Sequence, residues 1–141
     1  MVKRGSHIYR WLRSVWGPFS LRGARILPAD VIHVGSRPVA ESELVMVTLR
    51  FDATDPDRLQ GLLAKYTVLT RGHPGCRNVD LVASATRPNR FLVVEKWDSA
   101  ESQRTHFDSV DMVELAEGCV GLLASPPEID LYDSISAHDL H

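Results

Sequence analysis

At 141 residues and 44% apolar composition, the chain is long enough to bury the core of one domain and too short for two full ones. Its longest apolar stretches, such as residues 44–49, fall far short of the roughly 20 residues that cross a bilayer, so no membrane span is expected. The formal net charge of −2 hides an asymmetry: residues 1–40 hold seven Lys/Arg against Asp30 alone, and the remainder holds nine basic and 17 acidic residues.

The basic segment also carries Trp11, Trp16 and Phe19. It has no RNA-binding or helix-turn-helix signature and no helical or strand period, so it reads as a poorly ordered extension with no nucleic-acid partner expected. No apolar run follows Lys3 and Arg4, which argues against a secretory signal. Cys76 and Cys119 form no CxxC pair and have no histidine at ligand spacing. Neither a disulfide framework nor a zinc site is indicated, and a reducing, cytoplasmic setting is expected.

From Glu41 the chain becomes periodic. Val45, Val47, Leu49 and Phe51 recur at period two, the pattern of a half-buried strand. Asp55-Pro56 supplies a cap and a first-turn proline, and Leu59, Leu62, Leu63, Tyr66 and Leu69 follow at helical spacing. This helix is expected to stop at Arg71 or Gly72, with Gly72 left-handed and Pro74 beyond it. Val79, Leu81 and Ala83 alternate in a second strand, Arg87-Pro-Asn-Arg90 makes a turn, and Phe91–Trp97 forms the third strand of a hairpin. Asp98-Ser-Ala-Glu101 has the form of a capping box. A second helical region then runs past His106 and Phe107, breaks near Ser109–Asp111, and continues through Leu123 to Ser125-Pro-Pro127. Ile129 and Leu131 mark a short last strand.

The order β-α-β-β-α-β predicts a ferredoxin-like α+β protomer over residues 41–134, in which two helices cover one face of a four-stranded antiparallel sheet. Residues 135–141 read as a polar tail. Apolar residues on the uncovered face predict a homodimer packed sheet to sheet.

His73-Pro-Gly-Cys76, Glu95-Lys-Trp97-Asp98, His106 nine residues after Trp97, and Pro126-Pro127 before the last strand stand in one register. Over about 90 residues this resembles the antibiotic biosynthesis monooxygenase domain. The resemblance implies a dimeric α+β barrel and, in many members, oxygenation of anthrones or quinols by molecular oxygen without a cofactor.

The chain has no GxGxxG or P-loop glycines, no HExxH pair and no nucleophile elbow, so an oxygenase built this way draws its electrons from the substrate. The protein would supply a dry aromatic pocket, a base and hydrogen bonds to the developing anion. His106 is the candidate base, against an ordinary helix-surface role. Glu95 shares a strand face with Phe91, Val93 and Trp97, and a carboxylate there needs His106, an arginine or a dimer mate as partner. Trp97, Tyr66, Asn78 and Arg71 are candidate substrate contacts, each with an equally good packing or solvent role, and His73 is assigned to the turn. Haem-degrading relatives resemble an Asn-Trp-His set with the asparagine on the first strand, and residues 44–51 hold none. The expectation is thus a cofactor-free, metal-free monooxygenase taking a small aromatic substrate and oxygen. The alternative is a non-catalytic dimer that binds hydrophobic ligands.

Overall fold

The computed structural model describes residues 21–22 and 44–136. The rest of the basic extension and residues 137–141 lie outside the described residues. Among the described residues five strands form one sheet: β1 (Leu21–Arg22), β2 (Val45–Asp52), β3 (Cys76–Ala83), β4 (Arg90–Trp97) and β5 (Glu128–Asp133), in the spatial order β1-β5-β2-β4-β3. The four strands from β2 onward are antiparallel neighbours, as the ferredoxin-like reading expects. β1 is an addition from within the basic segment, pairing parallel with β5 through Leu21 opposite Ile129. Two residues are too few for a period, which is why pattern reading passed over them.

The helices among the described residues, α1 (Pro56–Arg71), α2 (Ala100–Phe107) and α3 (Val110–Gly118), lie on one face. Strand parity sorts the side chains. Val45, Val47, Leu49 and Phe51 of β2, Phe91, Val93 and Trp97 of β4, Val79 of β3 and Ile129 of β5 are buried in a single core with Leu59, Leu63 and Tyr66 of α1 and Met112, Leu115 and Ala116 of α3. The opposite face carries Met46, Thr48, Leu92, Val94, Val82 and Tyr132, of which Val82 and Tyr132 are 46% and 52% exposed.

The start of α1 is as expected, with Asp55 accepting from the Arg58 amide at 3.3 Å and proline in the first turn. Its buried stripe shifts toward Thr67 and Thr70, leaving Leu69 exposed. Three sequence expectations need correction. Gly72 is right-handed (φ −85°), and the left-handed residue is Gly75 (φ 84°). The cap of α2 is Ser99, whose Oγ accepts from the Ser102 amide at 3.1 Å; Asp98 instead donates its amide to the Gly75 carbonyl at 2.8 Å. The second helical region breaks as expected, with Ser109 opening a new helix immediately after Asp108. Finally, α3 ends at Gly118. The apolar Val120 and Leu123 that seemed to prolong it belong to a loop crossing back to β2, where Leu123 bridges Ala53.

Gly75 joins these pieces. A Cβ there would strike the Ser102 side chain and Asp98 as well as requiring a left-handed backbone. Only glycine lets the turn after α1 approach the start of α2. Gly75→Ala should therefore lower the urea-unfolding free energy by at least about 2 kcal/mol, combining backbone strain with steric displacement. A change below about 0.5 kcal/mol would show that the turn relaxes freely.

Candidate active site

The pleat of β4 places Glu95 on the helix-covered face, opposite Val47 on one side and Val79 on the other. Its side chain is 2% exposed, so its oxygens need donors from within the protein. Trp97, two residues along the same face, donates its indole N–H to Oε1 at 2.9 Å. Tyr66, on the inner face of α1, donates its hydroxyl to Oε2 at 2.6 Å. The Tyr66 bond has the short length of a charge-assisted hydrogen bond, and the Trp97 bond an ordinary N–H···O length.

The prompt cap at Ser99 folds α2 back over the end of β4, and His106, nearly two turns along, arrives above Trp97. The two rings stack with centroids 4.8 Å apart and planes 29° from parallel. His106 Nε2 stands 2.8 Å from the Tyr66 hydroxyl oxygen, which also lies 3.4 Å from Met112 Sδ. His106 is 2% exposed, and its Nδ1 is buried with no hydrogen-bond partner. His73, from the turn after α1, meets His106 edge-on at 4.6 Å and pairs through Nε2 with Asp111 Oδ2 at 2.6 Å. The His73 side chain is 22% exposed, so this pair lies between His106 and solvent.

Burial dominates the electrostatics. Tyr66 is pushed well above its ordinary pKa, first by burial and then by the Glu95 charge. Burial raises Glu95 despite its two donors and the nearby His73. His106 falls to about 3, chiefly from burial and then from His73, with Asp111 acting in the opposite sense. At neutral pH the imidazole and the phenol are uncharged, and the cluster is a set of three groups whose protons are shared through one hydroxyl.

Four of the six side chains singled out in the sequence thus meet: Tyr66, Glu95, Trp97 and His106. Asn78 does not join them. It sits on the opposite face, exposed, with its amide on Asp80 at 3.0 Å. Arg71 also stays out, holding the Val79 carbonyl through Nε at 3.1 Å and a terminal nitrogen at 2.7 Å. Sequence reasoning missed the His73–Asp111 pair. The HPG turn carried the signal for His73, but Asp111 was hidden by the helix break before it. A surface depression of about 320 Å³ lined by residues from Cys119 to Pro126 lies at the other end of β2 and contains no acid or histidine. Among the described residues no group of three or more His, Cys, Asp or Glu side chains could hold a metal ion, and no helix is long and apolar enough to cross a membrane.

The family profile described as antibiotic biosynthesis monooxygenase matches residues 44–118. Among solved structures, the Rv0793 protein of Mycobacterium tuberculosis is similar at 25% identity and TM-score 0.62, over 68% of this chain and 99% of that one. SnoaB, a cofactor-independent oxygenase from Streptomyces nogalater, is similar at 16% identity and TM-score 0.60, over 67% and 96%. The PA3566 protein of Pseudomonas aeruginosa is similar at 18% identity and TM-score 0.61, over 67% and 97%. No curated protein sequence matches the chain.

Folded His106 resists protonation down to about pH 3, whereas an unfolded imidazole takes a proton near about 6.5. Between those limits the unfolded state binds more protons. The stability tied to this group is therefore complete above about pH 6.5 and is lost on acidification, by about 1.4 kcal/mol per pH unit. Glu95 acts oppositely: its raised carboxyl holds a proton that the unfolded chain releases, so its contribution falls as pH rises past the unfolded value. In His106→Gln only the first effect disappears. The stability advantage of wild type over this variant, read by urea unfolding, should shrink steadily below about pH 6.5. A difference constant with pH would mean that His106 is solvated in the folded state.

Proposed function

Because the chain belongs to the antibiotic biosynthesis monooxygenase family, we propose that it oxygenates an electron-rich aromatic, a quinol or an anthrone-like polycycle, with molecular oxygen and without a cofactor. The reaction is assigned to the cluster of Tyr66, Glu95, Trp97 and His106. One observation carries this reading: His106 Nδ1 is a buried nitrogen with no partner, on a ring stacked against tryptophan. A buried polar atom left unbonded is rare, and a part in the chemistry is one of the few reasons to keep one. SnoaB, a cofactor-independent oxygenase, is a precedent on the same fold.

For an anthrone-type methylene the steps balance as follows. His106 Nδ1 takes a proton from the methylene carbon, and the carbanion passes one electron to oxygen. The substrate radical and superoxide combine in a new C–O bond. The peroxide anion recovers the proton; the second C–H proton then leaves as the O–O bond breaks, giving a carbonyl and water. The substrate supplies all the electrons, and the two oxygen atoms end in the carbonyl and in water. The protein contributes the base and a dry environment in which the donors of the cluster are already oriented.

A second reading also has an observation behind it. Tyr66 and Glu95 already satisfy one another inside a closed core, as they would in a binder of hydrophobic ligands with no chemistry. Oxygen uptake by metal-free protein, with a panel of anthrones and hydroquinones, separates the two. The oxygenase reading expects uptake in step with substrate loss, and His106→Ala is expected to lower turnover by roughly a hundredfold with the fold intact. Saturable binding with no uptake by any member of the panel would replace it with the binder.

The partner proposed for the open sheet face is a second copy of the chain. Met46, Leu92 and Val94 are half-buried there, and Val82 and Tyr132 stand exposed beside them. Such an apolar patch on a sheet is matched by its own two-fold copy. Sedimentation at micromolar concentration should show a dimer, and Val94→Glu should yield monomers that keep their secondary structure. A wild-type monomer would overturn the assignment.

A further inference from the structure

We infer that Glu95 is the final proton acceptor of the site and that Tyr66 relays the proton to it, so that Glu95, Tyr66 and His106 form one proton chain whose open end is His106 Nδ1. The inference deepens the oxygenase reading and rests on it for the identity of the proton donor. The chain itself can be tested without any substrate.

The geometry allows two complete proton arrangements. The Tyr66 hydroxyl has a single proton, and its oxygen touches both Glu95 Oε2 (2.6 Å) and His106 Nε2 (2.8 Å). In the first arrangement Glu95 is ionised and accepts from Tyr66 and from Trp97. The Tyr66 oxygen must then accept from Nε2–H, and Nδ1 is a bare lone pair. In the second, Glu95 is protonated and donates to the Tyr66 oxygen, Tyr66 donates to Nε2, and Nδ1 carries the hydrogen. Passing from the first to the second moves each of three protons by one link. A proton entering at Nδ1 appears on Glu95, and neither end of the process contains an imidazolium or a phenolate.

That outcome resolves a difficulty in treating His106 as the base by itself. A group held near pKa 3 carries its extra proton in only about one molecule in ten thousand at pH 7, a poor store for a proton that the reaction must later return. Glu95 is displaced the other way, toward the protonated acid. Burial thus penalises charge at both ends, and the relay spares the imidazole end by sending the substrate's proton to the carboxylate. The negative charge moves from Glu95 to the substrate while the net charge of the cluster and substrate together stays constant. The other titratable groups around the chain are consistent with this. His73 and Asp111 pair with each other on the His106 side, and the Cys76 thiol, raised to about 11 by burial and by Glu95, keeps its proton at neutral pH.

Nitrogen and carbon NMR of the full-length, ligand-free protein tests the relay. On acidification the Glu95 carboxyl carbon should titrate above the usual carboxylate range. Over the same range His106 should exchange its Nε2–H tautomer for the Nδ1–H tautomer while remaining neutral. In Tyr66→Phe the tautomer should no longer follow Glu95. Glu95→Gln is an independent second variant: its amide oxygen meets the Trp97 N–H and its NH2 donates to Tyr66, so Tyr66 must donate onward and His106 should stay Nδ1–H throughout the neutral range. A His106 that gains a second proton near neutral pH, or keeps one tautomer while Glu95 titrates, overturns the relay. With an oxidised substrate in hand, Tyr66→Phe should lower kcat by about a hundredfold with KM within about twofold, and an unchanged kcat would also overturn it. Oxygen uptake without the tautomer switch removes the relay and keeps the oxygenase reading. The switch without uptake by any substrate does the reverse.

Discussion

Burying the carboxyl of Glu95 between Val47 and Val79 costs several kcal/mol while it is ionised, before any partner is counted. Two hydrogen bonds to a charged acceptor return about 1.5–3 kcal/mol each, yet burial outweighs them and the carboxyl is held above its ordinary range. The rest of the cluster follows from that requirement. Tyr66 must project from the turn of α1 that lies over the last residues of β4, where its hydroxyl meets Glu95. Trp97 must turn its N–H back along its own strand, and its ring then becomes the platform on which His106 rests.

The two ends of the sheet differ accordingly. At the end where β2 begins and β4 finishes, polar groups are withdrawn from water and bonded to one another. At the opposite end, Arg90 pairs with Asp52 at 2.8 Å and Arg50 pairs with Glu128, all partly exposed. Arg90 holds the Asp52 carboxyl below its usual range, but ion pairs this wet contribute little to stability. The open end carries the loop that follows α3; the closed end carries the cluster of Tyr66, Glu95, Trp97 and His106.

The fold was legible because its signals are local and redundant: period two in Val45–Phe51 and Phe91–Trp97, a proline-marked start to α1, and glycine or proline at most turns. Parity also placed Glu95 and Trp97 together, and helical spacing brought His106 over them. What escaped depended on which of two adjacent candidates won. Asp98 and Ser99 both stand where a cap of α2 could begin; the Ser99 Oγ accepts from the Ser102 amide, while Asp98 gives its amide to the Gly75 carbonyl. Gly72 and Gly75 can both turn left-handed, and the choice falls to the one pressed against Ser102. At the end of α3 the chain meets a contact distant in sequence: a Cβ at Gly118 would lie 2.7 Å from Leu62, so glycine lets α3 close on α1 there, and the apolar residues beyond serve another element. Asn78 and Arg71 were chosen on residue type alone, which says nothing about whether a side chain on β3 or at the end of α1 reaches the cluster.

β1 contributes only two residues, yet its position gives it a part that its length does not suggest. Without it β5 would be an outer strand, offering a row of unpaired amides and carbonyls on the flank remote from β3. Exposed strand flanks of that kind recruit segments from other molecules and seed fibrillar assembly. By lying parallel against Ile129 and Asp130, Leu21 and Arg22 occupy the hydrogen-bonding positions where such recruitment would begin. A parallel pairing this short adds little cohesion to the monomer; its consequence lies in colloidal behaviour, in what a crowded population of these chains is kept from doing to itself.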